Sequence, residues 1–369
     1  MADPLWSRAE PAHWLRHVPR GDESSYLGSA IPGTGPGSVM TPYPGGVNPP
    51  ATDSYAVDAG GSCTAVRVRR RDGRQTSWQA ASCAIATVGK RQAVARLRRT
   101  LLRVRSELPG DGGAWGCLAS SSFPVAGEAA APEVLIRAIV TSACRGRVIV
   151  VNDVVPLLWS GHLAGQGLVV NSGTGSVVIG HTEDGRVLKL GGHEHILSDQ
   201  GSAYALARAA LRAVALAGDG MGPETQLLAR AEAFYGHPPP ALGRWLAELD
   251  RARFEVARFA PQVLEAEEAG DQVASGVVRT EVEALASVAA NAVSRLELGD
   301  EPRIGLSGGV MRGSPRFRGL VVAELERMGL RPEWAVLDSV AATLDFVDLV
   351  RERGTGMLAD VGGLHLDVE

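Results

Sequence analysis

Two glycine-rich turns between predicted β-strands hold the residues of this 369-residue chain that are best suited to bind an anion. The first turn covers residues 58–64 (Asp-Ala-Gly-Gly-Ser-Cys-Thr), and the second covers residues 171–176 (Asn-Ser-Gly-Thr-Gly-Ser). Glycines let backbone amides approach an anion closely, and neighbouring Ser and Thr hydroxyls add donors. Each turn is therefore predicted to cradle a phosphate. The residues expected to contact phosphate are Gly60, Gly61, Ser62, Thr64, Gly173, Thr174, Gly175 and Ser176.

Two aspartates lie where strands are predicted to end. Asp153 follows the apolar strand 148–151, and ligands of open α/β sheets collect at the carboxyl ends of strands. A carboxylate there can accept the proton of a hydroxyl that attacks a γ-phosphate. Asp58 opens the first turn and could hold Mg²⁺ directly or through water, because this metal prefers oxygen ligands. A helix N-cap or turn role for Asp153, and an Asx turn at Asp58, remain alternatives on these motifs alone.

Two further loops carry glycines and polar groups. Gly308 and Gly309 follow a short apolar strand, and they would let a nucleotide base or ribose lie against the backbone, although any tight strand-to-helix turn looks similar. The loop over residues 191–202 contains Gly192, His193 and Asp199. Asp199 could accept hydrogen bonds from a polyol. The alternating His-Glu-His at residues 193–195 is a poor zinc spacing.

The predicted elements that position these residues follow one order twice, with strands first and helices afterwards. Strands are predicted from residue 53 to near residue 82, over 115–119 and 148–151, and then from 167 to 190 and over 303–306. Helices are predicted over 92–105, 132–141, 202–217, 224–235, 242–252, 277–296, 316–328 and 340–351. This order describes a duplicated α/β chain with a cleft between its halves. We expect a proline- and glycine-rich arm over residues 1–52, an N-terminal lobe over 53–164 completed by 340–358, and a C-terminal lobe over 165–339.

The composition excludes several classes of protein. A net charge of −4, with 45% hydrophobic and 21% charged residues, fits a soluble globular protein and gives no reason to expect nucleic acid or an acidic membrane as a partner. The four cysteines are far apart and form no CxxC motif, which argues against a disulfide framework and indicates a reducing cytoplasm. No apolar run reaches the length of about 18 residues that a membrane span needs.

Taken together and in this order, the motifs resemble the N-acetylglucosamine kinase family and the related BadF-BadG-type ATPases, within the sugar kinase, heat-shock and actin superfamily. Residues 58–64 and 171–176 are similar to the family's two phosphate motifs, and residues 306–310 are similar to its adenosine motif. Residues 191–192 and 199–204 resemble the family's Gly-Gly-Trp and Gly-Asp-Glu-Gly-Ser-Ala-Tyr signature. The resemblance covers roughly residues 53–351.

The resemblance implies an actin-like ATPase fold, in which two ribonuclease-H-like lobes close over ATP and a sugar, and it implies a homodimer. By the same resemblance Asp153 falls at the catalytic base, Asp199 at a ligand of a sugar hydroxyl, and Ser62 and Thr174 at phosphate contacts. The residues expected around the acceptor are Asn152, Asp153, Gly192, His193 and Asp199. Gly308 and Gly309 are expected to bind ATP, and Asp58 is expected to bind Mg²⁺.

The departures from the family pattern concern the acceptor. Ala84 stands where the family usually has an Asn that contacts the sugar, His193 where it has Trp, and Gln200 where it has Glu. Losing an amide removes donors and acceptors for a ring hydroxyl. We therefore predict an ATP-dependent kinase whose acceptor is a modified amino sugar, an aminocyclitol or a glycosylated natural product.

Two other functions are compatible with the same fold. A non-catalytic nucleotide- or sugar-sensing protein is one, because one fold hosts many functions. An activator of a radical dehydratase is the other, but it relies on a bridging iron–sulfur cluster, and the four cysteines offer no pair in one loop.

Overall fold

The first β-sheet is built around the strand that ends beside Asp58. The computed structural model describes residues 52–108, 110, 113–126, 128, 133–249 and 251–369. The elements of the first half are β1 (Ser54–Ala59), β2 (Cys63–Arg69), β3 (Gln75–Ala81), α1 (Ile85–Glu107), β4 (Trp115–Ser120), α2 (Glu133–Ala143) and β5 (Gly146–Val151). Strands β1 to β3 form an antiparallel meander, while β4 pairs in parallel with the other side of β1 and β5 pairs in parallel with β4. Residues 54–57 of β1 are all buried, as expected for a central strand with covered faces.

The second sheet repeats this arrangement. Its half of the chain contains β6 (Gly167–Ser172), β7 (Ser176–His181), β8 (Val187–Gly191), α3 (Glu194–Leu197), α4 (Ala203–Gly218), α5 (Leu227–Tyr235), α6 (Pro239–Ala247), α7 (Ala252–Ala257), α8 (Ala260–Glu268), α9 (Gln272–Leu296), β9 (Arg303–Ser307), α10 (Gly309–Gly313), α11 (Pro315–Arg327) and β10 (Glu333–Val336). The strand order β8-β7-β6-β9-β10 matches the order β3-β2-β1-β4-β5 of the first sheet. The predicted two-lobed, duplicated α/β fold is therefore confirmed.

After the second sheet the chain returns to the first one. Helix α12 (Ser339–Arg353) packs against β1 and β4, and strand β11 (Leu364–Val368) pairs antiparallel with β5 at the sheet edge. Phe346 and Val347 of α12 belong to one buried apolar cluster that also contains Ile149 from the first sheet and Val169 and Ile179 from the second. This cluster joins the two lobes beneath the cleft.

Several elements escaped the sequence-based prediction. Strand β10 is mostly exposed, so it has no alternation of apolar and polar residues to mark it. The edge strand β11, the short helices α3 and α7, and helix α8 were also missed. Helix α1 begins at Ile85, before the predicted start at residue 92, and Gly89 (φ +74°) interrupts its regular backbone. The predicted arm over residues 1–52 lies outside the described residues except for residue 52. Among the described residues, no helix combines the length and apolarity that crossing a bilayer requires.

Candidate active site

The two glycine turns face each other across a cleft between the lobes, with a volume of about 310 Å³. The hydroxyls of Ser62 and Thr174 are hydrogen-bonded to each other. A Cβ added to Gly61 would lie 3.5 Å from the Cβ of Thr174, within van der Waals contact, so the two turns approach each other closely. Within the described part of the chain, the amides of Gly61, Ser62, Thr174 and Gly175 make no hydrogen bond. The structure thus brings together donors from two turns about a hundred residues apart in sequence.

Asp58 and Asp153 line the same cleft, each at the carboxyl end of a strand of the first sheet. Burial and the negative charge of Asp58 raise the pKa of Asp153 to about 7, although Lys189 and two backbone amides act in the opposite direction. Burial also raises the pKa of Asp58 to about 6, against the hydrogen bond that Ser339 donates to it over 2.5 Å. A carboxylate whose pKa lies near neutrality is suited to accept a proton at physiological pH.

Asn152 is buried and holds the turn that presents Asp153. Its amide nitrogen donates to the carbonyl of Phe123 over 2.5 Å, and its Oδ1 accepts from the amide of Val154 over 3.3 Å. Asn152 also lines the cleft. The observed contacts show that much of its hydrogen-bonding capacity serves the protein itself.

The glycine turn after β9 lies against the second glycine turn. Gly308 has φ +94°, and a Cβ there would lie 2.2 Å from the carbonyl oxygen of Ser172, so only glycine fits. Gly308 and Gly309 both line the cleft.

Beyond Gly309 a second, largely apolar cavity of about 560 Å³ opens, with walls from α7 and α8. Its apolar lining includes Phe234, Phe254, Ala257, Pro261, Leu264 and Val310. The residues shared by the cleft and this apolar cavity are Ser62, Gly173, Thr174 and Gly309. The two glycine turns therefore lie at the boundary between the cleft and an apolar cavity.

The loop between β8 and α4 (residues 192–202, the β8–α4 loop) carries Asp199 to the edge of the cleft. The Asp199 side chain is only 3% exposed; its Oδ1 accepts from the amide of Ser176 over 3.0 Å, and its Oδ2 accepts from Nη2 of Arg253 over 2.7 Å. Burial raises the pKa of Asp199, against the Ser176 amide and the Arg253 charge, which lower it. Arg253 also donates to Glu194 over 2.5 Å. The motifs gave no indication of Arg253, because it lies in a different segment of the chain.

A further ion pair, between Lys189 and Glu128, connects the two lobes at the cleft. Nζ of Lys189, on β8, lies 2.6 Å from Oε1 of Glu128, which belongs to the loop after β4. A Cβ on Gly192 would lie 3.2 Å from Cε of Lys189, so the glycine makes room for this side chain. Neither partner was predicted as a site residue, since no local pattern marks a residue whose partner comes from another lobe.

Three predicted contacts need correction. Thr64 does not line the cleft, because it points to the opposite side of β2, where it is fully buried and its hydroxyl donates to the carbonyl of Ala81 over 3.3 Å. His193 does not line it either; its side chain is exposed and follows two glycines with positive φ. Ser176 lines the cleft, but its hydroxyl donates to the carbonyl of Gln200 over 2.8 Å.

The remaining predicted residues meet in one place. The cleft is lined by Asp58, Gly60, Gly61, Ser62, Asn152, Asp153, Gly173, Thr174, Gly175, Gly192, Asp199, Gly308 and Gly309. Ala84, the position where an Asn was expected from the family pattern, also lines it. Within the described residues no three His, Cys, Asp or Glu side chains form a metal-binding cluster.

Solved structures with the same fold include two proteins assigned as N-acetylglucosamine kinases. The protein from Chromobacterium violaceum is 22% identical over 80% of this chain and 99% of its own, with a TM-score of 0.64. The protein from Porphyromonas gingivalis is 16% identical over 81% of this chain and 99% of its own, with a TM-score of 0.61. At these identities the comparison establishes the fold.

A curated relative and a family model match the sequence itself. The N-acetylmuramic acid/N-acetylglucosamine kinase of Clostridium acetobutylicum is 39% identical over 82 residues, which is 22% of this chain and 27% of the relative. The match therefore spans about a quarter of that relative. The model of the BadF/BadG/BcrA/BcrD ATPase family matches residues 56–328, most of the chain, and confirms the resemblance found in the motifs. The chain belongs to the BadF/BadG/BcrA/BcrD ATPase family.

Proposed function

We propose that this protein is a kinase that transfers the γ-phosphate of ATP to a hydroxyl of a sugar-like acceptor. The observation that carries the proposal is the meeting of two glycine turns from opposite lobes beside Asp153. Opposed turns with unpaired amides can bind a polyphosphate from two sides, and a carboxylate beside them can activate a hydroxyl. The kinase names of the sequence relative and of the structural neighbours agree with this function.

ATP would extend across both compartments. The apolar cavity between Phe254 and Pro261 offers the surface that a purine and a ribose need, and it meets the cleft at Thr174 and Gly309. The phosphates would then lie between the two turns, with the γ-phosphate directed toward Asp153. Gly308 would support this arrangement by allowing the glycine turn after β9 to pack closely on the second glycine turn.

The reaction needs one proton transfer and one displacement. Asp153 would accept the proton of the acceptor hydroxyl while the hydroxyl oxygen forms a bond to the γ-phosphorus. The bond between the γ-phosphorus and the bridging oxygen breaks, and ADP leaves with that oxygen. The pKa of about 7 at Asp153 leaves a large fraction of the carboxylate unprotonated at neutral pH, as a general base requires.

Mg²⁺ is the proposed metal cofactor, and Asp58 is the residue that would hold it. The Asp58 carboxylate is half-buried beside the first turn, and burial raises its pKa, so a nearby cation would stabilise its charged form. Mg²⁺ commonly uses one or two carboxylates together with substrate phosphates and water, which fits a site with few protein ligands. When bound, the metal would neutralise charge on the phosphates.

The acceptor is proposed to be a modified amino sugar, an aminocyclitol or a glycosylated natural product. Ala84 in the cleft wall offers no hydrogen bond from its side chain where the family pattern has an amide. Arg253 pairs with both Asp199 and Glu194, so this corner presents a guanidinium as well as carboxylates. These features favour an acceptor whose hydrogen-bonding groups differ from those of N-acetylglucosamine.

A panel assay tests the proposal. The purified full chain is incubated with ATP, Mg²⁺ and sugars, amino sugars or aminocyclitols. ADP release is measured first, and the product is then identified by phosphorus NMR. We expect one class of acceptor to give a phosphate ester. Calorimetry with a non-hydrolysable ATP analogue runs in parallel, and nucleotide binding without turnover on any acceptor would instead support a sensing protein.

Two further predictions concern the protein in its cell. A cytoplasmic location and a homodimer stay predictions, the second drawn from the family resemblance alone. Cell fractionation tests the first, and size-exclusion chromatography with light scattering tests the second.

A further inference from the structure

We propose that Arg253 is a positioning residue that links the β8–α4 loop to the apolar cavity, so that a nucleotide bound in the cavity orders the loop. The inference rests on the proposed function, because it takes the cavity to be the nucleoside site. It concerns a residue that the motifs did not identify and whose inferred role is to hold the loop in place.

Arg253 holds two residues of the β8–α4 loop at once. Nη1 lies 2.5 Å from Oε2 of Glu194, and Nη2 lies 2.7 Å from Oδ2 of Asp199. The guanidinium is 14% exposed and the Asp199 carboxylate 3%, whereas the Glu194 side chain is 57% exposed. Because a guanidinium presents its donors in a rigid fork, one side chain can fix two carboxylates that lie on separate turns of the loop.

Two residues of the β8–α4 loop have unfavourable backbone conformations, which need stabilising contacts from the rest of the protein. Glu194 has φ +64° and Asp199 has φ +77°, and left-handed conformations of this kind are uncommon for residues other than glycine. Such residues persist when the surrounding structure over-determines them. The two side chains that Arg253 binds are those of the two non-glycine residues with positive φ in this loop. Without the guanidinium we expect the loop to sample other conformations.

The same contacts reach the second phosphate turn. Oδ1 of Asp199 accepts from the amide of Ser176 over 3.0 Å, where β7 begins. A Cβ on Gly175 would lie 2.7 Å from both Nη2 of Arg253 and Oδ1 of Asp199, so the ion pair packs directly on this turn. Arg253 therefore connects helix α7, the β8–α4 loop and the turn around Gly175.

Helix α7 carries the connection into the apolar cavity. Phe254 and Ala257 of this short helix line the cavity, while the adjacent Arg253 lines the cleft. A purine that packs on Phe254 favours the helix position in which Arg253 reaches both carboxylates. A ligand shifts a conformational equilibrium by its differential affinity for the two states, so nucleotide binding should stabilise the ordered loop.

Hydrogen exchange measured by mass spectrometry on the full chain tests this coupling without an identified acceptor. The probe is the β,γ-imido analogue of ATP with Mg²⁺. In the wild-type protein we expect the analogue to slow exchange in both phosphate turns, in α7 and in the β8–α4 loop. In Arg253→Met the slowing should remain in the turns and fall at least threefold in the loop. Arg253→Lys keeps the charge without the fork and should give an intermediate result.

Matched controls separate this role from general loss of stability. Arg244→Met makes the same change at an exposed residue of α6 and should retain the wild-type pattern. Exchange of β6 and β7 without nucleotide reports whether each variant is folded. If Arg253→Met is unfolded, Arg253→Lys and Glu194→Gln carry the test, and each should weaken the nucleotide-dependent slowing in the loop.

The outcomes distinguish the inference from the function on which it rests. Equal slowing of the β8–α4 loop in the wild type and in folded Arg253 variants would overturn the inference while leaving nucleotide binding intact. Slowing that stops at α7 in the wild type would also overturn it. If the analogue slows neither phosphate turn, nucleotide binding itself is refuted, and the inference falls with the proposed function.

Discussion

The two lobes share one strand order, but they hold their glycine turns in different ways. In the first lobe, the carbonyl of Gly60 accepts from the hydroxyl of Ser82, and the carbonyl of Ala59 accepts from Ser121. In the second lobe, the carbonyls of Gly173 and Thr174 accept from backbone amides at the start of α4. The second turn is thus fastened to a helix of its own lobe, whereas the first depends partly on Ser side chains. This difference suggests that the first turn adjusts more readily to a bound phosphate.

The lobes also differ in charge at one matched position. Asp58 is the residue before the last of β1, and Asn171 is the residue before the last of β6; both line the cleft. The catalytic candidate Asp153 also belongs to the first lobe. Helices α5, α7 and α8, which line the apolar cavity, belong to the second lobe. The duplicated fold therefore places the residues proposed for proton and metal chemistry in one half and the proposed nucleoside site in the other.

The largest effect should follow the loss of the base in the first lobe. Asp153→Asn should lower turnover about 10²- to 10⁴-fold, because the amide cannot accept the proton of the acceptor hydroxyl. Nucleotide affinity, measured by calorimetry, should change little. Asp219→Asn, at the exposed end of α4, is the matched control. Unchanged turnover in Asp153→Asn would rule out this residue as the base.

The same variant should be more stable than the wild type above pH 7. Burial raises the pKa of Asp153 from 3.8 to about 7, so ionisation lowers the stability of the native state as pH rises through this range. An Asn avoids the buried charge. Thermal unfolding at pH 8 should therefore show a higher Tm for Asp153→Asn, with a smaller difference at pH 4. A lower Tm at pH 8 would contradict the assigned direction.

The difference between Asp58 and Asn171 can be tested directly by exchanging the two residue types. Asp58→Asn makes the first turn resemble the second at this position and should weaken Mg²⁺-dependent binding of the ATP analogue about 10- to 100-fold, as loss of a metal-supporting group commonly does. Binding without Mg²⁺ should be affected much less. Asn171→Asp serves as the opposite change, since it adds a carboxylate to the second lobe. Equal losses with and without Mg²⁺ in Asp58→Asn would argue against a metal role for this residue.

The ionisation of Asp153, in the first lobe, should set the pH dependence of the reaction. Because Asp153 must be unprotonated to accept a proton and its pKa is about 7, kcat/KM should rise with pH up to about 7 and then level off. Lys189 lowers this pKa from the second lobe, so Lys189→Met should move the acid limb to higher pH. A pH profile of kcat/KM for both proteins measures the shift. A shift to lower pH in the variant would contradict the electrostatic assignment.

A pair of glycines gives the smallest and most local test. Gly308→Ala should destabilise the fold by about 1–3 kcal/mol, because φ +94° is unfavourable for alanine and the new Cβ would meet the carbonyl of Ser172. Gly309→Ala enters open space and should change stability by less than about 0.5 kcal/mol. Chemical unfolding of the two variants measures the difference. The position after β4 in the first lobe, Ser121, already carries a side chain, so this constraint belongs to the second lobe.

The sequence predicted much of the fold and the central part of the site. Strand, turn and helix order established the duplicated α/β architecture, and the glycine turns identified Asp58 and Asn171 as residues at strand ends. These features are local, because glycine conformation and apolar periodicity act over a few neighbouring residues. Thr64 was assigned to the wrong side of β2, although alternation along the strand places it opposite Cys63, which lines the cleft.

Other parts of the site depend on contacts between distant segments. Arg253 binds Asp199 from 54 positions away, and Lys189 binds Glu128 from 61 positions away. No spacing rule connects such pairs, since each arginine or lysine is by itself an ordinary polar residue of a helix or strand. His193 illustrates the reverse case, because it belongs to a recognisable motif but is exposed and does not line the cleft.

The amino-acid sequence by itself determined the order of strands and helices along the chain, the glycine turns and the aspartates at the strand ends, because backbone preference and apolar patterning act within short stretches of chain. Only the tertiary structure decided which polar groups face the cleft and which are hydrogen-bonded to other parts of the protein. The physical reason is that side-chain direction and ion pairing depend on packing between elements. Ser62 and Thr174 meet, and Arg253 reaches Asp199, only once both lobes have folded.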